Sequence, residues 1–582
     1  MADAMRLRGP DGWATWTDQG GQLGFAHRRL AILDPTARSD QPMLTPDSRY
    51  VIVFNGEIYN FMHVREKLAS KGHVFHTTGD TEVLLACFRE YGPAMVDQLR
   101  GMYALAIWDV KERSLFLARD PLGIKPLYYS LEGGILRFAS QVKALHAVTQ
   151  SDAPDPAGRV GFLLWGSVPE PYTMFRAIRA LPPGNWMAVK RNAEPVISRF
   201  SDVPETLAGG RENAITDTDA AKQVLHDALR ESVEAHLVSD VPVALFLSAG
   251  LDSCTIAALV SETPGVRPNA LTLGFDETRG TSEDETALAF QVADQYRIPF
   301  HSEYIGRANF ASEHDALLQA MDQPTIDGVN VYFVSRLARQ AGYKVALSGL
   351  GGDEIFAGYG SFQQVPKLAR TLEPLQQFPA IGRCFRWMSS GAIKRFTSPK
   401  YAGLLEYGTS LEGAYLLRRS LFMPWELPSV LDPDIVREGW RELEPLARMR
   451  ETLSPLRTMN GAIGDRLRVS SLEMTLYMRN QLLRDADWAG MAHSVEIRVP
   501  LMDFRLLQQL APLLAGPRAP GKIDMALAPR QRLPDAILER PKTGFGVPVR
   551  EWLMSSNGQP AKGAERGLRA WAMHILDTYS HS

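Results

Sequence analysis

Two short stretches in the second half of the chain combine small residues, hydroxyls and acids at spacings suited to polyphosphate chemistry. Ser248-Ala249-Gly250-Leu251-Asp252-Ser253 follows the apolar run 243–247 and precedes a helix-like segment that opens near 255–260. Small residues let backbone N–H groups approach phosphate oxygens, and a helix N-terminus adds partial positive charge. Ser248 and Ser253 can donate hydroxyl hydrogen bonds, and Asp252 can hold a magnesium ion that bridges phosphate oxygens. The same residues also fit a plain strand–helix connection, with Gly250 at positive φ and Ser253 as N-cap. A second loop, Ser348-Gly349-Leu350-Gly351-Gly352-Asp353-Glu354, repeats the arrangement after another apolar run, 344–347. Two such loops at the carboxyl ends of parallel strands face one crevice, where open α/β sheets bind ligands. Asp252 and Asp353 could then share one Mg2+. The nearest approach to a P-loop, Gly516-Pro517-Arg518-Ala519-Pro520-Gly521-Lys522-Ile523, lacks the Ser/Thr and has no strand before it, so it reads as a plain loop.

The elements that must carry these loops divide the chain in two. Residues 1–200 read as a mainly β unit. The run 50–54 ends at Asn55-Gly56, a turn signal; strands follow at 104–110 and 114–118, and a helix at 81–91 stops at Gly92-Pro93. Residues 201–219, rich in Pro, Gly, Thr, Asp and Glu, read as a linker. From 220 to 560 the texture becomes strand–loop–helix, with buried-strand candidates at 243–247, 270–275 and 344–347 and a mostly helical stretch over 360–520. Such apolar runs predict a parallel sheet covered on both faces. Residues 561–582 read as a C-terminal tail.

Composition narrows the class. With 63 Lys+Arg against 66 Asp+Glu among 582 residues, the net charge of −3 gives no single-sign surface for nucleic acid or a membrane face. Hydrophobic content of 45% excludes large-scale disorder. The three cysteines, Cys87, Cys254 and Cys384, form neither a disulfide framework nor a zinc knuckle. No apolar run approaches the roughly 20 residues of a membrane span, and the start lacks a signal-peptide core. The expectation is a cytoplasmic protein whose partners are small molecules, with the oligomeric state, a homodimer included, left open.

The first loop resembles the pyrophosphate loop of ATP-pyrophosphatases. Taken with the second loop, with Asp487-Trp488-Ala489-Gly490-Met491-Ala492-His493-Ser494-Val495-Glu496-Ile497-Arg498-Val499-Pro500 and with Arg540-Pro541-Lys542-Thr543-Gly544-Phe545, it resembles the glutamine-dependent asparagine synthetases over nearly the whole chain. The resemblance implies an αββα N-terminal-nucleophile-type glutaminase domain followed by a parallel-sheet α/β synthetase domain with a helical C-terminal region. It implies that ATP, with Mg2+, activates a carboxylate as an acyl-adenylate, releasing pyrophosphate, and that ammonia attacks the acyl carbon. Carried over residue by residue, Leu247 and Leu273 flank the adenine, and Ser248, Gly250, Ser253, Ser348 and Gly349 contact the nucleotide. Asp252 and Asp353 hold the metal, and Lys542 neutralises charge on the transferred phosphate. Asp487, Glu496 and Arg498 form a buried polar set on the substrate side, a role that a structural ion-pair network fits equally.

In the first half, Arg28-Arg29-Leu30-Ala31-Ile32 resembles the glutamine-binding segment of class II amidotransferases. By that resemblance Arg29 pairs the substrate carboxylate, while Leu30 and Ile32 line the site. Asn55 and Gly56 supply an oxyanion hole, Glu57 lies near the amino group and Asp80 takes the substrate ammonium. Asn55-Gly56 as a turn, Asp80 as an N-cap and Arg29 as a solvated strand residue are the alternatives.

Two departures qualify these expectations. The family nucleophile is a cysteine at position 2, where this sequence has Ala2, and Arg8-Gly9-Pro10-Asp11 falls about 20 residues early, so no glutaminase activity is expected of the chain as given. Either the start lies at an internal Met or the activity has been lost; Met1-Ala2-Asp3-Ala4-Met5 reads like mid-helix and points to the first. In the second loop Leu350 replaces the glutamate that standard asparagine synthetases use, and Ala249 replaces a glycine. Leucine cannot accept a proton or orient an ammonium, and β-lactam synthetases carry a tyrosine there and join a different amine. The reading is an asparagine synthetase-like amidotransferase, with aspartate implied as acceptor. An amide ligase for another carboxylic acid and a non-catalytic nucleotide-binding homologue are its rivals.

Overall fold

A computed structural model describes every residue except 192, 266, 397, 542–551, 553–566 and 582. In the first unit the strands Tyr50–Ile58, Gly101–Asp109 and Ser114–Arg119 form the centre of a six-stranded sheet, extended by Met43–Leu44 at one edge and by Asn185–Lys190 and Val196–Arg199 at the other. Strand alternation sends Ile52, Phe54, Leu105, Ile107 and Phe116 to one face, beneath the helices Phe61–Ala69 and Asp80–Tyr91. Val51, Val53, Ala104, Ala106, Leu115 and Leu117 face the other way. There they meet Phe25 of the hairpin Gly12–Thr17/Gly24–Arg29, and Tyr129, Leu136 and Phe138 of a three-stranded ribbon. The helix Val142–His146 packs on that ribbon's outer side. The layering is the expected αββα.

Three expectations for this unit and its exit are corrected. Asn55-Gly56 does not end its strand: pairing runs on through Gly56↔Tyr103 to Ile58↔Gly101. Glycine is required there because a Cβ on Gly56, at φ +151°, would lie 2.1 Å from the Met102 carbonyl oxygen. Asp80 is not an N-cap; Gly79 occupies that position, and the Asp80 carboxylate accepts the Ile58 N–H at 3.1 Å. The stretch expected as a linker carries a helix, Val203–Gly209, started by Asp202, whose side chain accepts the Glu205 N–H. Val203 and Leu207 are buried, and Gly210 lies so close to Ala511 that a Cβ would sit 2.2 Å from its carbonyl oxygen.

The second unit is a five-stranded, wholly parallel sheet in the order Phe300–Ile305, Asn269–Phe275, Val243–Phe246, Val345–Leu347, Glu496–Arg498. From the central strand Val243–Phe246 the chain winds outward twice on one side, then returns to add Val345–Leu347 on the other. The order therefore reverses between those two strands, and the two phosphate-type loops leave their carboxyl ends side by side at that switch point. Helices dominate 360–520 as expected, including an 11-residue π-helical segment, Glu473–Leu483. The expected tail is largely the helix Leu568–His581, with Trp571, Ala572, Ile575 and Leu576 buried. No helix among the described residues is long and apolar enough to cross a membrane. The two units share a continuous core, in which Ile32, Tyr59 and Met102 join Leu229, Val233 and Leu237.

Candidate active sites

In the first loop, Gly250 has φ −82° and caps the helix Leu251–Ser261, so neither the positive φ nor the Ser253 N-cap is realised. Ser253 sits one turn in, and its hydroxyl knots the loop: it accepts the Ser248 N–H at 3.1 Å and lies 3.0 Å from the Ser248 hydroxyl. The Ser248 Oγ in turn accepts the Gly250 N–H at 3.1 Å. The glycine at positive φ is Gly351 of the second loop, at +109°. The loops touch: a Cβ on Gly349 would lie 2.8 Å from the Ser253 nitrogen, and one on Gly352 would lie 2.0 Å from Asp252 Oδ1. Ser348 donates its N–H to the Arg498 carbonyl at 2.8 Å. Leu247 and Leu273 are buried behind the loops, and Leu350 packs half-buried against the core.

Asp252 and Asp353 converge, and among the described residues the Lys522 ammonium lies between them, bonded to Asp252 and 2.9 Å from Asp353 Oδ1. Lys522 thus belongs to the site, and the plain-loop reading of 516–523 is corrected: Gly521 caps a short helix, Lys522–Ala526, that points this side chain between the loops. Burial opposes the charge, but the two aspartates more than offset it, and the lysine is held above its ordinary range. Arg540 adds a second cation, paired at 2.9 Å with Glu285, whose other oxygen accepts the Ala249 N–H at 3.3 Å. Sequence gave little signal for Lys522; the lysine that motif reasoning singled out, Lys542, lies outside the described residues.

In the first unit the residues expected to bind glutamine line one cavity of about 160 Å3: Arg29, Leu30, Ile32, Asn55, Gly56, Glu57 and Asp80. Ser140, Met491 and Glu496 are among the other residues that line it, the last two from the second unit. The Asn55 amide donates to the Ser140 hydroxyl at 3.2 Å. The Arg29 guanidinium bonds the Leu33, Asp34 and Thr36 carbonyls and Asp40, so pairing a ligand carboxylate requires it to give up a bond, the half-exposed Asp40 being the readiest to yield. Burial raises the Asp80 carboxyl to about 6 against the hydrogen bonds of Ile58 and its own N–H. None of the three cysteines lines this cavity; Cys87 is buried in Asp80–Tyr91, where burial pushes its thiol up to about 12.

The expected polar set is split. Glu496 and Arg498 stay together, with Arg498 Nε donating to Glu496 Oε1 at 3.0 Å and Lys125 closing on the other oxygen at 2.9 Å. Arg498 also reaches into the first unit, donating to Glu57 Oε2 at 2.7 Å. Glu57 Oε1 is buried without a hydrogen-bond partner among the described residues, and burial pushes its carboxyl up. Asp487 lies elsewhere along the junction, held bidentately by Arg8 at 2.6 and 2.8 Å. Ion pairs of this kind join the two units directly.

Comparison with known proteins agrees with this geometry. A glutamine amidotransferase domain model matches residues 1–200, and the asparagine synthase model matches residues 224–576. A Bacillus subtilis protein named asparagine synthetase [glutamine-hydrolyzing] 1 is 30% identical over 99% of this chain and 86% of its own length. A putative asparagine synthetase [glutamine-hydrolyzing] of Mycobacterium bovis is 34% identical over 94% of this chain and 83% of its own. The Gibberella zeae protein named amidase chry2 is 25% identical over 87% and 77%. A synthetase-type loop pair behind an amidotransferase-type pocket, matched by both domain models over nearly the whole chain, means that this protein belongs to the asparagine synthetase family.

Proposed function

We propose that the chain adenylates a carboxylic acid, aspartate by family, with release of pyrophosphate, and aminates it with ammonia. The observation that carries this reading is the meeting of two strand-end loops at the sheet's switch point, with Asp252, Asp353 and Lys522 converging on one spot. Adenylation places negative charge on the departing pyrophosphate, and fixed cations aimed at that charge lower the barrier. Lys522 is positioned for that role, with Lys542 assigned to it by family. The Ser248, Ser253 and Gly349 region supplies close-approach backbone and hydroxyl donors for phosphate oxygens.

The donor set suits Mg2+: two carboxylates meet where one cation already sits, and hard oxygen ligands are what that ion takes. Asp252 and Asp353 would hold it, and the ion, when bound, would neutralise phosphate charge. In the first unit, Glu57 and Asp80 present acidic oxygens to an α-ammonium, and Asn55 presents its amide to the scissile group. A polypeptide of these 582 residues places no cysteine in that cavity, so it is expected to use free ammonia. The test is ATP–pyrophosphate exchange with aspartate and other candidate acids, followed by amide formation with ammonium or glutamine. Exchange with no acid at all would overturn the reading.

A further inference from the structure

A cavity of about 710 Å3 lies apart from both sites, where the first unit meets the C-terminal helix. Most of its wall comes from four helices, Val142–His146, Pro156–Trp165, Arg307–Ala320 and Leu568–His581, and the rest from the segments around Asp152 and Phe175. No residue of the amidotransferase-type pocket or of the paired loops lines it. Its size is that of a small-molecule site, for which about 300–1,000 Å3 is usual.

Its polarity is unusual for a packing void. Met174, Phe175, Leu318 and Ile575 supply apolar wall, and two half-buried cations, Lys143 and Arg159, face in with them. Arg159 is the informative one. Its side chain has neither an ion pair nor a hydrogen bond among the described residues, and its Nε is buried without a partner. Asp155, one helical turn before it, would ordinarily pair with it at i,i+4. That carboxylate instead caps the helix through the Gly158 N–H and pairs with Arg179 at 2.8 Å. Burial lowers the Arg159 pKa, and no carboxylate opposes that effect.

The other charged groups leave the interior cationic. Lys143 Nζ donates to the Gln319 carbonyl, and the acid that acts on its charge, Asp322, is bonded to the Val142 and Lys143 N–H groups. The two lining aspartates belong to the rim. Asp152 is 85% exposed and 3.7 Å from His146 Nδ1, and Asp315 is 91% exposed and paired with His314 at 2.9 Å. The His146 ring stacks on Phe175 at 3.8 Å.

A half-buried guanidinium whose Nε is shielded from solvent without a partner among the described residues gains a charge-assisted hydrogen bond from an incoming anion. We propose that this cavity is a binding site for a small ligand carrying one oxyanion, carboxylate or phosphate, on an apolar body, with Arg159 as its anchor and Lys143 as its second cation.

The probe is anilinonaphthalene sulfonate, an oxyanion on an apolar fluorescent body, titrated into the full chain with ATP present to fill the nucleotide site. A saturable component is expected, displaced by octanoate or octyl phosphate and not by octanol; the stronger displacer identifies the preferred oxyanion. Arg159→Met keeps the apolar stem and breaks no bond, and should weaken the probe about tenfold or more, the worth of one charge-assisted hydrogen bond. Leu318→Trp should abolish the component by filling the space. Both variants should retain ATP–pyrophosphate exchange and wild-type thermal unfolding. Probe affinity unchanged in both variants, or displacement by octanol as effective as by octanoate, would overturn the assignment.

Discussion

Replacing Lys522 with Met tests the phosphate site most directly, because it separates metal binding from chemistry. The lysine bonds Asp252 and Asp353 at once, with side-chain exposures of 15% for the lysine and 23% and 17% for the two acids. A hydrogen bond to a charged group contributes about 1.5–3 kcal/mol when shielded. These acids keep some solvent, so about 2–3 kcal/mol for the two contacts together is the working figure. A metal ion entering between Asp252 and Asp353 must displace or share that ammonium. Lys522→Met removes one internal competitor, and Mg2+ affinity without nucleotide should rise by up to about 2–3 kcal/mol, roughly 30- to 140-fold at 1.4 kcal/mol per decade. Adenylation should move the opposite way. The lost cation no longer meets the charge of the departing pyrophosphate, and removing one such electrostatic contact costs about 10²–10³ in rate. Calorimetric Mg2+ titration reads the first effect and ATP–pyrophosphate exchange the second. If Mg2+ affinity and exchange both stay at wild-type values, Lys522 is a bystander and the shared-cation geometry is wrong.

Asp252→Asn and Asp353→Asn should each abolish exchange while leaving the circular dichroism unchanged; retained pyrophosphate release in either would remove that residue from the metal pair. Glutamine binding should weaken as pH falls through about 6. The raised Asp80 carboxyl takes up a proton there and ceases to attract the ligand ammonium, so the loss appears below the folded value and is absent above it. In Asp80→Asn the calorimetric Kd should be weak and flat across that range, and a wild-type pH profile in this variant would refute the role. Leu350→Glu should raise aspartate-dependent turnover, at a stability cost of about 1–3 kcal/mol for a carboxyl set against the core; no gain with aspartate, beside activity on another acid, would reassign the acceptor. A polypeptide of residues 1–582 should form amide from ammonium and not from glutamine, and glutamate released in step with product would disprove it.

What the sequence could and could not disclose follows from which interactions are local. The strands 243–246, 269–275 and 345–347 announce themselves because a strand covered on both faces has no polar side to show. The outer strands Phe300–Ile305 and Glu496–Arg498 carry His301, Glu303, Glu496 and Arg498, so they escape that criterion. The 203–209 helix hides because Pro204 and Gly209 read as linker composition, although Asp202 three residues before Glu205 is a start signal for it. Asn55-Gly56 misleads in the opposite direction. It has the chemistry of a turn, yet its glycine is there because two strand backbones approach within a Cβ radius. Seven residues expected to bind glutamine do meet in one cavity, which motif order made legible. Lys522 was not legible, since it acts across 270 positions of sequence and in a stretch that reads as loop.

Arg498 shows why the two halves are better understood as one machine than as two joined domains. Its carbonyl accepts the Ser348 N–H of the second phosphate-type loop, and its guanidinium holds Glu57, 441 positions away, inside the amidotransferase-type cavity. A single residue on a sheet strand therefore contacts both sites, one through backbone and one through side chain. It is fully buried and carries Glu496 as well, with Lys125 closing the far side of that glutamate. In such a setting an isolated charge costs several kcal/mol, so Glu57, Arg498, Glu496 and Lys125 hold their positions collectively, and moving one strands its partner. Glu57, which lines the cavity, keeps one oxygen without a hydrogen-bond partner among the described residues. A cationic ligand group taking that oxygen competes for the charge that Arg498 meets by hydrogen bond and Lys125 from farther off. The Glu57–Arg498 pair therefore shares one residue with the strand end that accepts the Ser348 N–H, so substitution of Arg498 disturbs both at once.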